Sequence, residues 1–356
     1  MKKIGLVMIV KNESRSLDKC LISAKKLVDE IYITDTGSTD NTLEIAQKYN
    51  AHISEFKWCN DFSAARNFAL RQSSCDWNLV LDADEYLVSG NRKDILKFIE
   101  AGTHVGAIER HDSYREDNGE ISQSCIFTTR LIPKEAYYAG KVHEQVLCPL
   151  PIAPLPLVFD HDGYLHGGKG ERNLTILLEE LEENPKDPYI LYQVARTLWL
   201  MKDYLNADQY FAKFYQLVPE SGTGYRVNGV ITYIYNLLEL KKYDEGFRMI
   251  AEEKQRLDAY ADYHFACGTF YTQAIFSDVQ RYIAYLPEIE RSYRRCLEIG
   301  EIPEHEGVVG NGSYKAAYNL GVWFEVNGKT KEALYYYRSA SNAGYQPAKE
   351  RMKKII

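Results

Sequence analysis

The stretch Ile4-Gly5-Leu6-Val7-Met8-Ile9-Val10, followed by the polar Lys11-Asn12-Glu13-Ser14, decides how the first half of the chain is read. An apolar run of strand length that ends abruptly on polar residues suits a parallel strand buried on both faces, because a strand wetted on one side would alternate. Leu17, Cys20, Leu21, Ala24, Leu27 and Val28 then recur at helical spacing, and Glu30-Ile31-Tyr32-Ile33-Thr34 reads as a second strand. That is a βαβ unit. The same grammar predicts a helix over 42–49, a strand over 52–56, a helix over 62–70 and a strand over 77–81, giving an open α/β sheet. After Gly106 the helical spacing stops. Short β-like runs over 124–132 and 141–147 and the proline-rich segment 148–157 predict an irregular or antiparallel extension of the sheet.

From Glu171 onward the signal is helical. Seven of the 28 tyrosines lie in residues 1–170 and the other 21 in 171–356, so two architectures are expected, divided there. In the second, Leu191, Val194, Ala195 and Leu198, then Tyr204, Ala207, Phe211, Phe214 and Pro219, follow the tetratricopeptide pattern of paired antiparallel helices. It recurs as Leu320-Gly321, Phe324, Gly328, Ala333, Tyr337 and Ala340. Tyr233, Leu237, Tyr243, Gly246 and Ile250 form a degraded copy, and Gly268 with Cys296 marks another carrying an insertion. Each pair must stack on a neighbour to bury its apolar face, so a short α-solenoid is expected.

Composition removes several functions. Of 356 residues, 43 are basic and 50 acidic, a net charge of −7, which argues against a sequence-independent nucleic-acid binder. No apolar run has the ~18 residues of a membrane span, and the first strand begins without a signal-peptide core, so a cytoplasmic chain is expected. Seven cysteines, odd in number and never in a C-x-x-C pair, argue against a disulfide framework and a structural zinc site.

Ligands of open α/β sheets sit at the carboxyl ends of the strands. There stand Lys11-Asn12-Glu13-Ser14, Asp35-Thr36-Gly37-Ser38-Thr39-Asp40 and Asp82-Ala83-Asp84-Glu85. Asp40 also reads as a helix cap and Gly37 as a turn residue. Alternate residues of an extended chain point the same way, so Asp82 and Asp84 are expected to place two carboxylates on one side at the mouth of the sheet, an arrangement that repulsion disfavours unless a cation joins them. A solvated acidic turn is the other reading of that pair. Gly163-x-x-x-x-Gly168-Lys169 nearly matches a phosphate-binding P-loop, but Gly170 replaces the required Ser or Thr.

Val10-Lys11-Asn12-Glu13, 33–40, Asp61-Phe62-Ser63-Ala64-Ala65-Arg66-Asn67 and Leu81-Asp82-Ala83-Asp84-Glu85 together resemble a family 2 glycosyltransferase with the GT-A fold. The resemblance continues through Gly140-Lys141-Val142-His143-Glu144-Gln145, His161-Asp162-Gly163-Tyr164 and Arg172-Asn173-Leu174. With helical repeats following, it is similar to the sublancin-type subgroup, which glycosylates cysteine or serine in bacteriocin peptides. The resemblance implies that Val10, Glu13 and Asp35 belong to the nucleotide-sugar site, Asp35 accepting from a uracil N–H. Asp82 would face the ribose and Arg66 the phosphates. Asp84 and His161 would hold Mg²⁺ or Mn²⁺, with His143 and His166 as rival ligands, and Glu144 would be the general base. Many relatives carry a second acid where Thr36 stands. The expected protein is an inverting, metal-dependent transferase using a UDP-sugar and a peptide acceptor. The alternatives are an envelope saccharide or lipid-linked glycan acceptor, and a non-catalytic peptide-binding scaffold. An exposed repeat edge would suit a homodimer.

Overall fold

The computed structural model describes residues 2–116, 119–166, 170–220 and 224–355. The side chain of His166, and Gly168-Lys169 of the near P-loop, lie outside the described residues. Backbone packing divides the chain into Met1–Glu183 and Asn184–Ile356, grouping residues 171–183 with the first unit.

In the first unit, strands β1 (Ile4–Val10), β2 (Glu30–Asp35), β3 (His52–Glu55) and β4 (Trp77–Val80) run parallel in the order β3-β2-β1-β4. The apolar run of β1 is explained by its two faces. Ile4, Leu6, Met8 and Val10 join one core cluster with Leu17, Cys20 and Leu21 of helix α1 (Leu17–Ala24). Val7 joins another with Tyr32, Val80 and Ala69 and Leu70 of a later helix. Burying six of the seven residues, on both faces, removes the alternation a half-wet strand would show. Helices α2 (Thr42–Lys48), α3 (Phe62–Gln72) and α4 (Arg92–Ala101) complete this half.

The extension is built from β5 (Glu85–Ser89), β6 (Val105–Arg115), β7 (Ile121–Pro133) and β10 (Ile152–His161), and the order continues β4-β7-β6-β10-β5. β7 is antiparallel to both β4 and β6, as the sequence predicts. The proline-rich segment behaves differently from expectation: its second part enters β10, which runs parallel to β6. Pro154 and Pro156 have no N–H to give a ladder, and the register breaks between Pro154 and Val158. The run 141–147 is also not one strand. Only Gln145–Leu147 (β9) pairs with Tyr137–Ala139 (β8), because Gly140 and His143 adopt positive φ and bend the chain between them. Helix α5 (Gly170–Glu183) ends the unit.

The second unit is helical: α6 (Pro188–Leu200), α7 (Tyr204–Leu217), α8 (Gly224–Glu239), α9 (Tyr243–Leu257), α10 (Ala261–Ser277), α11 (Val279–Tyr282), α12 (Leu286–Ile299), α13 (Tyr314–Val326), α14 (Thr330–Asn342) and α15 (Gln346–Ile355). Most of the repeat residues are buried, including Leu191, Ala195, Phe211, Phe214, Leu237, Leu320, Ala333 and Tyr337. The glycines mark close approaches: a Cβ on Gly246 would meet the Phe270 ring at 2.0 Å, and one on Gly321 the Tyr337 ring at 2.5 Å. α11 and the turn after it form the inserted segment. Four helix ends close identically. Asp203 N donates to Leu198 O, Lys242 N to Leu237 O, Lys329 N to Phe324 O and Tyr345 N to Ala340 O, each after a residue in the left-handed region, Lys202, Lys241, Gly328 or Gly344. These are Schellman turns.

Candidate functional site

At the carboxyl ends of β1 and β2, Val10 and Asp35 are register partners, so the structure brings these two expected residues together. Asp35 is buried, and its carboxylate accepts from the backbone N–H of Gly37 at 3.1 Å and of Ser38 at 3.0 Å. The acid therefore braces the turn that follows it. Asn12, in the left-handed region, accepts from Thr39 N, while Glu13 N donates to Thr42 Oγ1 at 2.7 Å. Glu13 Oε2 accepts from Ser16 Oγ at 2.7 Å. These bonds stitch the loops after β1 and β2 into one rim.

β4 ends at Val80, and residues 83–84 form a turn. The alternation of an extended chain does not apply there, and the two carboxylates find different partners. Asp82 is held by Arg66 Nη2 at 2.7 Å and by Arg130 Nη2 at 2.6 Å. Burial alone would raise its pKa, but the two guanidiniums outweigh it and hold the carboxyl well below the usual range. Arg66 Nε also donates to Glu144, which the β8–β9 loop presents. That loop is pinned on α3: Asn67 exchanges two 2.8 Å hydrogen bonds with the Tyr138 backbone, and Phe62 N donates to Lys141 O. α3 itself starts where Asp61 caps Ala64 N. One helix thus positions the guanidinium and, through Asn67, the carboxylate loop.

Asp84, 4 % exposed, faces His161 instead, with Oδ2 at 3.4 Å from Nε2. The other ring nitrogen of His161 lies 2.8 Å from Asp112 Oδ1. Burial lowers the imidazole pKa, yet the two flanking carboxylates lift it to about 10. Arg110 links this end to the rest, donating to Asp112 at 2.7 Å and to Glu85 at 2.8 Å. Glu85, fully buried, also pairs with Arg130. A single chain of contacts therefore runs from Glu144 through Arg66, Asp82, Arg130, Glu85, Arg110, Asp112 and His161 to Asp84.

The charge balance of this chain bears on a cation. Its five carboxylates face three arginines, and at its far end two of them, Asp84 and Asp112, flank His161. An imidazole held at Nδ1 by one carboxylate and facing a second across Nε2 is the outer-shell arrangement typical of metal-ligating histidines. Asp84 and His161 fit a divalent cation; Asp82, occupied by two guanidiniums, does not. At the other end, Arg66 Nη1 and Arg130 Nε are buried and have no hydrogen-bond partner. Such orphaned cationic donors suit an anion.

Sequence reasoning missed Arg110, Asp112 and Arg130. The signal existed in Glu109-Arg110-His111-Asp112, where charges alternate inside a run that is otherwise a strand. It also missed Arg15, whose guanidinium lies 3.1 Å from Asp162 Oδ1, and Tyr86, which donates to the same carboxylate.

Residues 6–149 match glycosyl transferase family 2. Among particular relatives, the chain is 48% identical over 88 residues to a TPR repeat-containing protein of Synechococcus elongatus, covering 25% of this chain and 22% of that one. It is 29% identical over 218 residues to the SPbeta prophage-derived glycosyltransferase SunS of Bacillus subtilis, covering 58% of this chain and 51% of that one. The crystal structure of TarS from S. aureus aligns at a TM-score of 0.36 and 17% identity, over 71% of this chain and 55% of that one. The chain spans about half the length, or less, of these two curated relatives. No helix among the described residues is long and apolar enough to cross a membrane.

Proposed function

We propose that the chain is an inverting, metal-dependent glycosyltransferase that moves a sugar from a UDP-sugar to a cysteine or serine side chain of a peptide. The contact chain joining Glu144 to Asp84 is the observation that carries this reading, because it ties an acceptor-side carboxylate to a cation-side carboxylate through buried arginines. In the transfer, the acceptor S–H or O–H gives its proton to Glu144 while the sulfur or oxygen attacks the anomeric carbon. The bond from that carbon to the diphosphate oxygen breaks and UDP leaves. Arg66 engages Glu144 Oε1, so Oε2 is the oxygen that takes the proton. The cation at Asp84 and His161 would offset charge on the departing diphosphate. Val10, Glu13 and Asp35 belong to the nucleotide side, with Arg66 turned toward the phosphates.

The peptide acceptor follows the resemblance to the sublancin-type motif order. A saccharide or lipid-linked glycan is the second reading. Incubation with a panel of nucleotide sugars and with cysteine- or serine-bearing peptides or envelope oligosaccharides as acceptors, read by intact mass, tests both. A sugar mass on a peptide supports the proposal. Mass gain on an oligosaccharide alone overturns the acceptor, and absence of UDP release with any donor overturns the enzyme.

A further inference from the structure

A second set of donors gathers on the opposite face of the sheet extension. Glu109 and His111 are alternate residues of β6, Cys125 stands opposite His111 on β7, and Asp160 stands opposite it on β10. Successive side chains of a strand point to opposite faces, so His111 projects away from Arg110 and Asp112 and from the contact chain they belong to. One donor atom from each of Glu109, His111 and Cys125 can be chosen so that all lie within 4.8 Å of one another. All three residues are half-buried. His111 Nε2 is 2.7 Å from Glu109 Oε1, and Nδ1 faces Asp160 Oδ1 at 3.6 Å.

We propose that Glu109, His111 and Cys125 bind a divalent transition-metal cation of the Zn²⁺ type, with Asp160 orienting the imidazole. One nitrogen, one sulfur and one oxygen donor form a borderline set. It favours Zn²⁺ over Mg²⁺ or Ca²⁺, which take oxygen ligands. With ligand bonds of about 2.0–2.3 Å, tetrahedral donor atoms stand roughly 3.3–3.7 Å apart. Donors already within 4.8 Å reach that spacing by side-chain rotation. Asp160 on Nδ1 leaves Nε2 to the ion, and the fourth position goes to water. Binding releases the thiol proton, so affinity falls as pH drops. The three strands joined here also carry Arg110, Asp112, Arg130 and His161, and the ion clamps them from behind.

The full chain, stripped of metal, is titrated with Co²⁺ as a spectroscopic probe and with Zn²⁺ in thermal melts. A near-ultraviolet thiolate-to-cobalt band is expected at about one equivalent, together with a rise in Tm with Zn²⁺. Cys125→Ser should abolish the band while retaining the wild-type circular dichroism, and His111→Gln should abolish the Zn²⁺-dependent rise. Asp160→Asn should weaken binding by about 10–100-fold, and Asp84→Asn should leave the band intact. A folded wild-type chain without the band, or a band that survives Cys125→Ser, overturns the site.

Discussion

Glu144 and Asp84 stand at the two ends of one chain of charges, and their substitutions should separate binding from chemistry. Glu144→Gln keeps the volume and can still accept from Arg66, so UDP-sugar affinity should hold while turnover drops ~10²–10⁴-fold, the scale of a lost general base. Donor titration alongside single-turnover rates checks this; a collapse of donor affinity would place Glu144 on the nucleotide instead. Asp84→Asn removes charge from the cation side, so turnover should fall by orders of magnitude, and addition of EDTA to the wild type should do the same. Arg130 is a different case. It pairs with Glu85, which has no solvent exposure, and with Asp82. Arg130→Met leaves Glu85 with Arg110 alone among the arginines, so a loss of about 3–5 kcal/mol is expected in denaturant unfolding. Asp35, Asp82, Asp84 and Glu144 stand out as candidates in the sequence because each lies in a short motif. Arg110, Asp112 and Arg130 were not, because they act only after β6 and β7 pair, and pairing register is not written in any local stretch. The cluster at Glu109, His111 and Cys125 was hidden for the same reason: a cysteine needs no C-x-x-C partner when a neighbouring strand supplies a histidine.

Elements show the same division between local and non-local information. β1 was readable from its unbroken apolar run and the helix pairs from periodicity, whereas β10 was obscured by its prolines and β6 by its charges. The repeated Schellman turns allow a test at this scale. Lys241 occupies the left-handed position that Gly328 fills in the equivalent turn, and it is exposed. A non-glycine residue there costs roughly 1 kcal/mol, so Lys241→Gly should raise stability by a little under that amount, and Gly328→Ala should lower it similarly. Thermal melts of both variants check the symmetry; equal destabilisation by both would mean that the Lys241 side chain, rather than its backbone, matters. The loop after α12 offers a pH test. Asp262 accepts from Val308 N and Asn311 Nδ2, yet burial dominates and raises its pKa to about 6. Its folded form holds a proton the unfolded chain releases nearer pH 4. The stability it contributes is therefore full below about pH 4 and lost as pH rises through 6. Melting temperature should fall over that window in the wild type by more than in Asp262→Asn, and parallel profiles would remove the assignment.

At the scale of the whole chain, a transferase domain and a set of helical repeats occur in one polypeptide of net charge −7. The proposed peptide acceptor gives the repeats a task. A flexible peptide loses conformational entropy on being held, and contacts beyond the few atoms that react must offset that loss. A small saccharide needs fewer. The second unit keeps large aromatic side chains in solvent, Phe276 at 73% exposure and Tyr335 at 68%. Exposed aromatics are effective anchors, and one lost anchor is worth more than about 1 kcal/mol, or at least roughly a fivefold weakening. Phe276→Ser and Tyr335→Ser together should therefore raise the KM for a peptide acceptor by about tenfold or more. UDP release without acceptor should change little, because that reaction uses the first unit's residues alone. A cysteine peptide adds a second signature: a free thiol has a pKa of about 8.5, so the rate should climb from pH 7 toward 8.5 more steeply than with the matching serine peptide. Unchanged peptide KM in the double variant would mean that those two aromatics take no part in holding the acceptor. Equal loss of peptide transfer and of acceptor-free UDP release would mean that they support the catalytic unit's stability rather than the peptide.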